Sequence, residues 1–115
     1  MKKTIIISTA LVFIIIACSK SNENISTVTD CSGTVKSFAT DVNPIIQSFC
    51  ATNSGCHASE STNGPGALIS YQQIFNNRFA IRTAVANGSM PQNSSLSSSQ
   101  KSAIICWIDN GAADN

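Results

Sequence analysis

An apolar stretch at residues 5–17, interrupted only by Ser8 and Thr9, stops abruptly at Cys18. This limits the fold more than any other feature, because it sets how much chain is left to build a core. The stretch is 13 residues long and comes directly after Met1-Lys2-Lys3-Thr4. A bilayer-spanning helix needs roughly 20 apolar residues, so a positively charged start and a short apolar centre read as a secretory signal occupying residues 1–17. Beyond Cys18 lie 97 residues, enough for one domain. A domain of that size buries a modest core and usually relies on a disulfide, a metal or a cofactor for stability.

The junction itself, Ile15-Ile16-Ala17-Cys18, resembles the lipobox of bacterial lipoproteins. There, aliphatic residues and a small one precede the cysteine whose thiol accepts diacylglycerol. The resemblance implies lipidation at Cys18 and a membrane anchor, since each buried methylene contributes ~0.8 kcal/mol and two or more acyl chains hold stably. Ser19 beside it carries no inner-membrane retention signal, so the expected site is the cell envelope, with the outer membrane preferred. Loss of Lys2 and Lys3 leaves five basic and six acidic residues. No basic cluster of the kind a nucleic-acid partner demands remains.

Residues 18–34 are rich in Ser, Thr and Asn and show no helical period, so they are expected to form a flexible tether. Residues 35–115 read as short helices joined by polar loops. Asn43-Pro44 has the form of an N-cap followed by proline at the first helical position, leading through Ile45, Ile46 and Phe49 to Cys50. Ser70 is placed to cap a helix beginning at Tyr71. A further helix from Arg78 carries Ile81 and Val85 and stops at Asn87-Gly88. Ser97 and Gln100 have capping-box spacing, and Ile104, Trp107, Ile108 and Gly111 form one helical stripe. No alternating strand pattern is present, so the expected class is all-α.

The chemistry centres on Cys50-Ala51-Thr52-Asn53-Ser54-Gly55-Cys56-His57, which contains the single histidine of the chain. Cys-x-x-Cys-His attaches c-type haem: two thiols add to the vinyl groups and the adjacent imidazole ligates iron. Here five residues separate the thiols instead of two. Asn53, Ser54 and Gly55 suit an outward bulge because they tolerate tight turns and positive φ. Read without its neighbours, the run is a weak haem signal and is better read as a small disulfide loop with a bystander histidine.

Its neighbours extend the pattern. Val42-Asn43-Pro44-Ile45-Ile46 precedes it and Gly64-Pro65 comes after. Then come Leu68-Ile69-Ser70-Tyr71, Asn87-Gly88-Ser89-Met90-Pro91, Leu96-Ser97 and Trp107-Ile108-Asp109-Asn110-Gly111-Ala112. In that order these segments resemble small lipid-anchored, single-haem members of the class I cytochrome c superfamily, over roughly residues 38 to 113. The resemblance implies a bundle of short helices around one covalent haem c, attached through Cys50 and Cys56 with His57 and Met90 as axial ligands. It gives the Pro65 carbonyl to the second imidazole nitrogen and packs Trp107 near the haem and the first helix. His/Met ligation favours reduced iron and raises the potential into an electron-carrier range. The implied activity is single-electron transfer to redox partner proteins by a monomer, not conversion of a substrate.

Cys31 and Cys106 are left over. Cys106 lies off the Ile104 stripe, and a free thiol there would be exposed in an oxidising compartment. In the family the first and last helices pack together, so the resemblance implies a Cys31–Cys106 disulfide. Zinc is the competing use of these cysteines and His57, although neither Cys31 nor Cys106 has a second ligand at short spacing. A haem-free, disulfide-stapled module with a structural or adhesive role is the alternative for the whole domain.

Overall fold

The computed structural model describes residues 29–115. The leader, Cys18 and most of the expected tether lie outside the described residues. Among the described residues every regular element is helical, as the sequence pattern requires. No helix among them is long and apolar enough to cross a membrane.

The first helical segment starts earlier than the Asn43-Pro44 signal suggests. A π turn, Phe38–Val42, runs directly into α1, Asn43–Phe49. Its N-cap is Ser37, whose hydroxyl accepts from Thr40 N–H, while the Asp41 carboxylate accepts from Ser37 N–H at 2.8 Å. Pro44 therefore sits inside a helical run. Its ring crowds the carbonyl four residues back, and it has no N–H to offer. The wide turn just before it, with Asn43 N–H bonded to the Phe38 carbonyl, is a local adjustment of the kind that accommodates such a break. Asn43 is thus a helical residue that accepts from Gln47 Nε2 at 3.0 Å, not a cap. The remaining donors at the start are met from far along the chain. Asn115 takes Phe38 N–H on its side chain and Ala39 N–H on its carbonyl, both at 2.8 Å.

The other starts and stops agree with the sequence signals. Ser70 and Gln73 form a capping box on α2, Tyr71–Asn76. α3, Arg78–Asn87, ends at Gly88 in the left-handed conformation, φ 75°, which glycine adopts without Cβ strain. Ser97 and Gln100 form a second box on α4, Ser98–Asp109.

α4 lies against both α3 and the π turn, and the core forms along that seam. Phe38, Val42 and Ile46, spaced four apart, are buried with Ile104, Trp107 and Ile108. Trp107 is 1% exposed. Its ring centroid stands 5.5 Å from that of Phe38, and Tyr71 meets it edge-on at 6.3 Å. The polar edges of both rings are satisfied by the segment just past α4: Trp107 Nε1 donates to the Ala113 carbonyl at 2.8 Å and Tyr71 O–H to that of Ala112 at 2.9 Å.

Cys31 and Cys106 are joined in a disulfide. The expectation that Cys106 faces outward needs correcting: residues 103–108 are buried without a break, and Cys106 is 6% exposed. A single amphipathic stripe leaves one flank of a helix bare. Here the segment around Cys31 covers that flank, with the Asp30 carbonyl 3.8 Å from Cys106 Sγ. The end of the expected tether is therefore pinned at Cys31, by the disulfide that the resemblance implies. Gly111, counted in the stripe, lies beyond the helix end and is exposed.

Candidate functional site

Cys50 occupies the next position on the Phe38-Val42-Ile46 row, which explains its burial at the C-cap of α1. Its N–H and that of Ala51 both donate to the Ile46 carbonyl at 2.9 Å, ending the helix. The chain then loops outward and returns. His57 N–H donates to the Cys50 carbonyl at 3.0 Å, and Leu68 N–H donates to the His57 carbonyl at 2.8 Å. His57 is thereby clamped by its backbone on both sides.

The imidazole is held as firmly. Nδ1 lies 2.9 Å from the Gly66 carbonyl oxygen. A carbonyl only accepts, so Nδ1 carries the proton, and the neutral ring leaves an unprotonated lone pair on Nε2. Nε2 has no hydrogen-bond partner among the described residues. This ties down one ring nitrogen and frees the other, as a metal-ligating histidine requires. The acceptor is Gly66, one residue beyond the Pro65 expected from the sequence. Gly66 has φ 81°, and a Cβ there would come within 3.3 Å of the Ser61 carbonyl. A glycine is what allows the chain to turn its carbonyl onto the ring.

A cleft of about 710 Å³ opens beside His57, walled by Phe49, Cys50, Cys56, Pro65 and Met90 among others. Its volume falls in the range of sites for sizeable organic ligands. A narrower cavity of about 150 Å³ shares Cys50, His57, Pro65 and Met90 with it and reaches between Leu68, Ile81, Ala84 and Val85. No charged side chain lines either space. Met90 arrives from a separate part of the chain. After α3 stops at Gly88, Met90 N–H donates back to the Ala84 carbonyl at 3.2 Å, which sets the residue half-buried on the cleft wall.

Both thiols at the cleft are free, Cys50 buried and Cys56 partly exposed. Burial, reinforced by the nearby Cys56, pushes the Cys50 thiol up to about 11, so it stays protonated at neutral pH. Among the described residues no group of three or more His, Cys, Asp or Glu side chains could hold a bare metal ion, which leaves the zinc alternative without a ligand set.

Of the residues singled out from the sequence, Cys50, Cys56, His57, Pro65 and Met90 converge on this cleft. Trp107 does not: it lies in the aromatic core, its Nε1 committed to the Ala113 carbonyl. Sequence reasoning missed Gly66 as the ring's acceptor and Phe49 as a wall, the latter because Phe49 reads as one more apolar helix residue. Comparison with known proteins finds no matching family model, no matching curated protein and no matching solved structure.

Proposed function

We propose that this chain is a haem protein of the covalent, c-type class. More particularly, we read it as a membrane-anchored carrier of single electrons, resembling the small class I cytochrome c lipoproteins. The observation that supports this best is the convergence of Cys50, Cys56, His57 and Met90, from two distant segments, on one uncharged cleft. The fit of a haem rests on three properties of that cleft. It has the volume for a large planar ligand, it offers two unpaired thiols, and it holds an imidazole with Nδ1 engaged and Nε2 free.

In this reading Cys50 and Cys56 would carry the two thioethers, and His57 Nε2 and Met90 Sδ would hold the iron. Bound haem supplies the ferrous–ferric couple. The protein's own work is to hold. The Gly66 carbonyl fixes the tautomer and the orientation of the imidazole. The neutral thioether of Met90 favours the reduced state. Leu68, Ile81 and Val85 form an apolar wall behind the cleft, the kind of surrounding that limits solvent reorganisation around a changing charge. With His57 committed to iron, the chain has no second histidine to serve as an acid or base on a substrate. The lipid at Cys18 would keep the domain at the envelope surface, within reach of redox partner proteins.

The test is production in a host with a periplasmic haem-attachment system. The expected product is red, with haem that survives acid–acetone extraction, and it partitions into detergent unless Cys18 is changed to Ser. His57→Ala is expected to abolish stable haem-loaded protein. Met90→Ala is expected to retain the haem, lower the potential and remove the weak sulfur–iron absorption band. Colourless wild-type protein, from a host that matures a control cytochrome, would replace this reading with a haem-free, disulfide-stapled module.

A further inference from the structure

The five-residue spacer between Cys50 and Cys56 is the feature least like a conventional attachment motif, and its backbone is unusually well organised. Residues 52–55 are exposed, so no apolar burial orders them. Hydrogen bonds do it instead, and most converge on one residue. Asn53 Oδ1 accepts from Gly55 N–H at 2.9 Å and from Cys56 N–H at 3.1 Å. Its main-chain carbonyl accepts from Cys56 and Ala58 N–H, both at 3.0 Å. Asn thus turns the chain back through its side chain and closes the return through its backbone, as an Asx turn does.

The far side of the loop is braced as well. Asn63 Nδ2 donates to the Gly55 carbonyl at 2.8 Å. The Ser61 hydroxyl, buried beneath the loop, donates to the Cys56 carbonyl and accepts from Asn63 N–H. At the base, the His57 N–H to Cys50 carbonyl bond of 3.0 Å brings the two ends of the excursion together. Both thiols consequently face the same cleft, although the spacer alone would let Cys56 wander.

We propose that Asn53, backed by Asn63 and Ser61, is a positioning residue that ties the five-residue spacer into a closed loop at the edge of the cleft, so that both Cys50 and Cys56 present their sulfurs to one haem. This rests on the haem reading above and deepens it. In each attachment the thiol adds across a vinyl C=C bond. The sulfur bonds one carbon and the thiol hydrogen ends on the other, so no external oxidant or reductant is consumed. Two such additions on one rigid macrocycle need the two sulfurs held at a fixed separation. An untethered spacer satisfies the first addition and leaves the second thiol free.

The number of thioethers is read in a Cys18→Ser background, so that residue 18 contributes no thiol, by unfolding the purified protein without reductant, capping free thiols with a maleimide and weighing the intact chain. Wild type is expected to carry haem and no maleimide. Asn53→Ala is expected to carry haem plus one maleimide as its main species. Asn53→Asp keeps the acceptor oxygen and is expected to restore double attachment. Ser54→Ala, whose side chain makes no hydrogen bond in the loop, is expected to match wild type. An intact Cys31–Cys106 disulfide and unchanged far-ultraviolet circular dichroism show that each variant has folded. If Asn53→Ala does not fold, Asn63→Ala tests the brace from the opposite side and is expected to give the same single attachment. The proposal is overturned, with the haem reading intact, if wild type itself takes one maleimide. It is equally overturned if the folded Asn53→Ala or Asn63→Ala variant takes none, or if Asn53→Asp behaves as Asn53→Ala. Wild type with no haem at all overturns both.

Discussion

Replacing Cys31 by Ser isolates the contribution of the disulfide, because Cys31 sits at the edge of the domain while Cys106 keeps its buried place on α4. The bond closes a loop with a sequence separation of 75. In the chain-entropy model the unfolded state then loses 2.1 + 1.5R ln n cal/mol/K, which at this length and 25 °C amounts to about 4.5 kcal/mol. Native domains have about 5–15 kcal/mol of total stability, and one this small belongs at the low end, so the variant is expected to lie near its folding threshold. Thermal melting should drop by about 20–35 °C, at ~4–8 °C per kcal/mol for a domain of this size. Urea titration provides the sharper check. The cross-linked unfolded chain is more compact, so Cys31→Ser should show a steeper m as well as a lower midpoint. A loss under about 1 kcal/mol with an unchanged m would refute the reasoning, since the constraint would then not act on the unfolded state.

The ionisable groups set two further outcomes. Arg82 and Asp109 pair through two bonds, 2.6 and 2.7 Å, with side chains 40% and 36% exposed. The Arg82 hydrogen bond holds the Asp109 carboxyl below its ordinary value of 3.8. The pair's contribution is therefore complete above that value and lost as pH falls through the lowered one. Asp109→Asn is expected to cost about 0.2–1 kcal/mol at pH 7 and progressively less as the pH is lowered through the acid range, which urea titrations across that range will show. In haem-free protein at pH 8, a Cys50 thiol titrating at about 11 is ionised to about one part in a thousand. Iodoacetamide should then modify Cys56 first and reach Cys50 only as pH nears 11, as followed by peptide mass mapping. Equal rates at pH 8 would contradict the buried thiol.

Where the sequence could be read and where it could not divides along the range of the interactions. Ser70 with Gln73, Ser97 with Gln100, and Gly88 were legible because a cap is settled within four residues. The start of the first helix was not. Asn43-Pro44 looks locally like a beginning, yet the helix begins at Ser37 because Asn115, 77 residues from Phe38, supplies the acceptors its first N–H groups need. Cys106 was misjudged for the same kind of reason. A stripe on one helix cannot show that a distant segment covers the opposite flank. At the candidate site the thiols and His57 stood out as a Cys-x5-Cys-His run, and Met90 through the resemblance of its loop. Gly66 did not, because what it offers the imidazole is a backbone carbonyl, and every residue has one. Trp107 belongs to the aromatic core rather than the cleft, a distinction between two apolar settings that its place on a helical stripe could not make.

The dependence of three separate elements on residues 112–115 sets an order of assembly. A chain made from its N-terminus presents Cys50 and His57 long before Ala112, Ala113 and Asn115 exist to complete Tyr71, Trp107 and the first helix. The loop from Cys50 to His57 closes over seven residues and needs nothing from downstream except the short stretch to Leu68. Local contacts of that kind form early, while long-range ones wait. On that ground the Cys50–His57 loop is expected to close first, with the segment past α4 sealing the core afterwards. That segment is the latch of the fold: residues 112–115 hold together three elements that lie far apart along the chain.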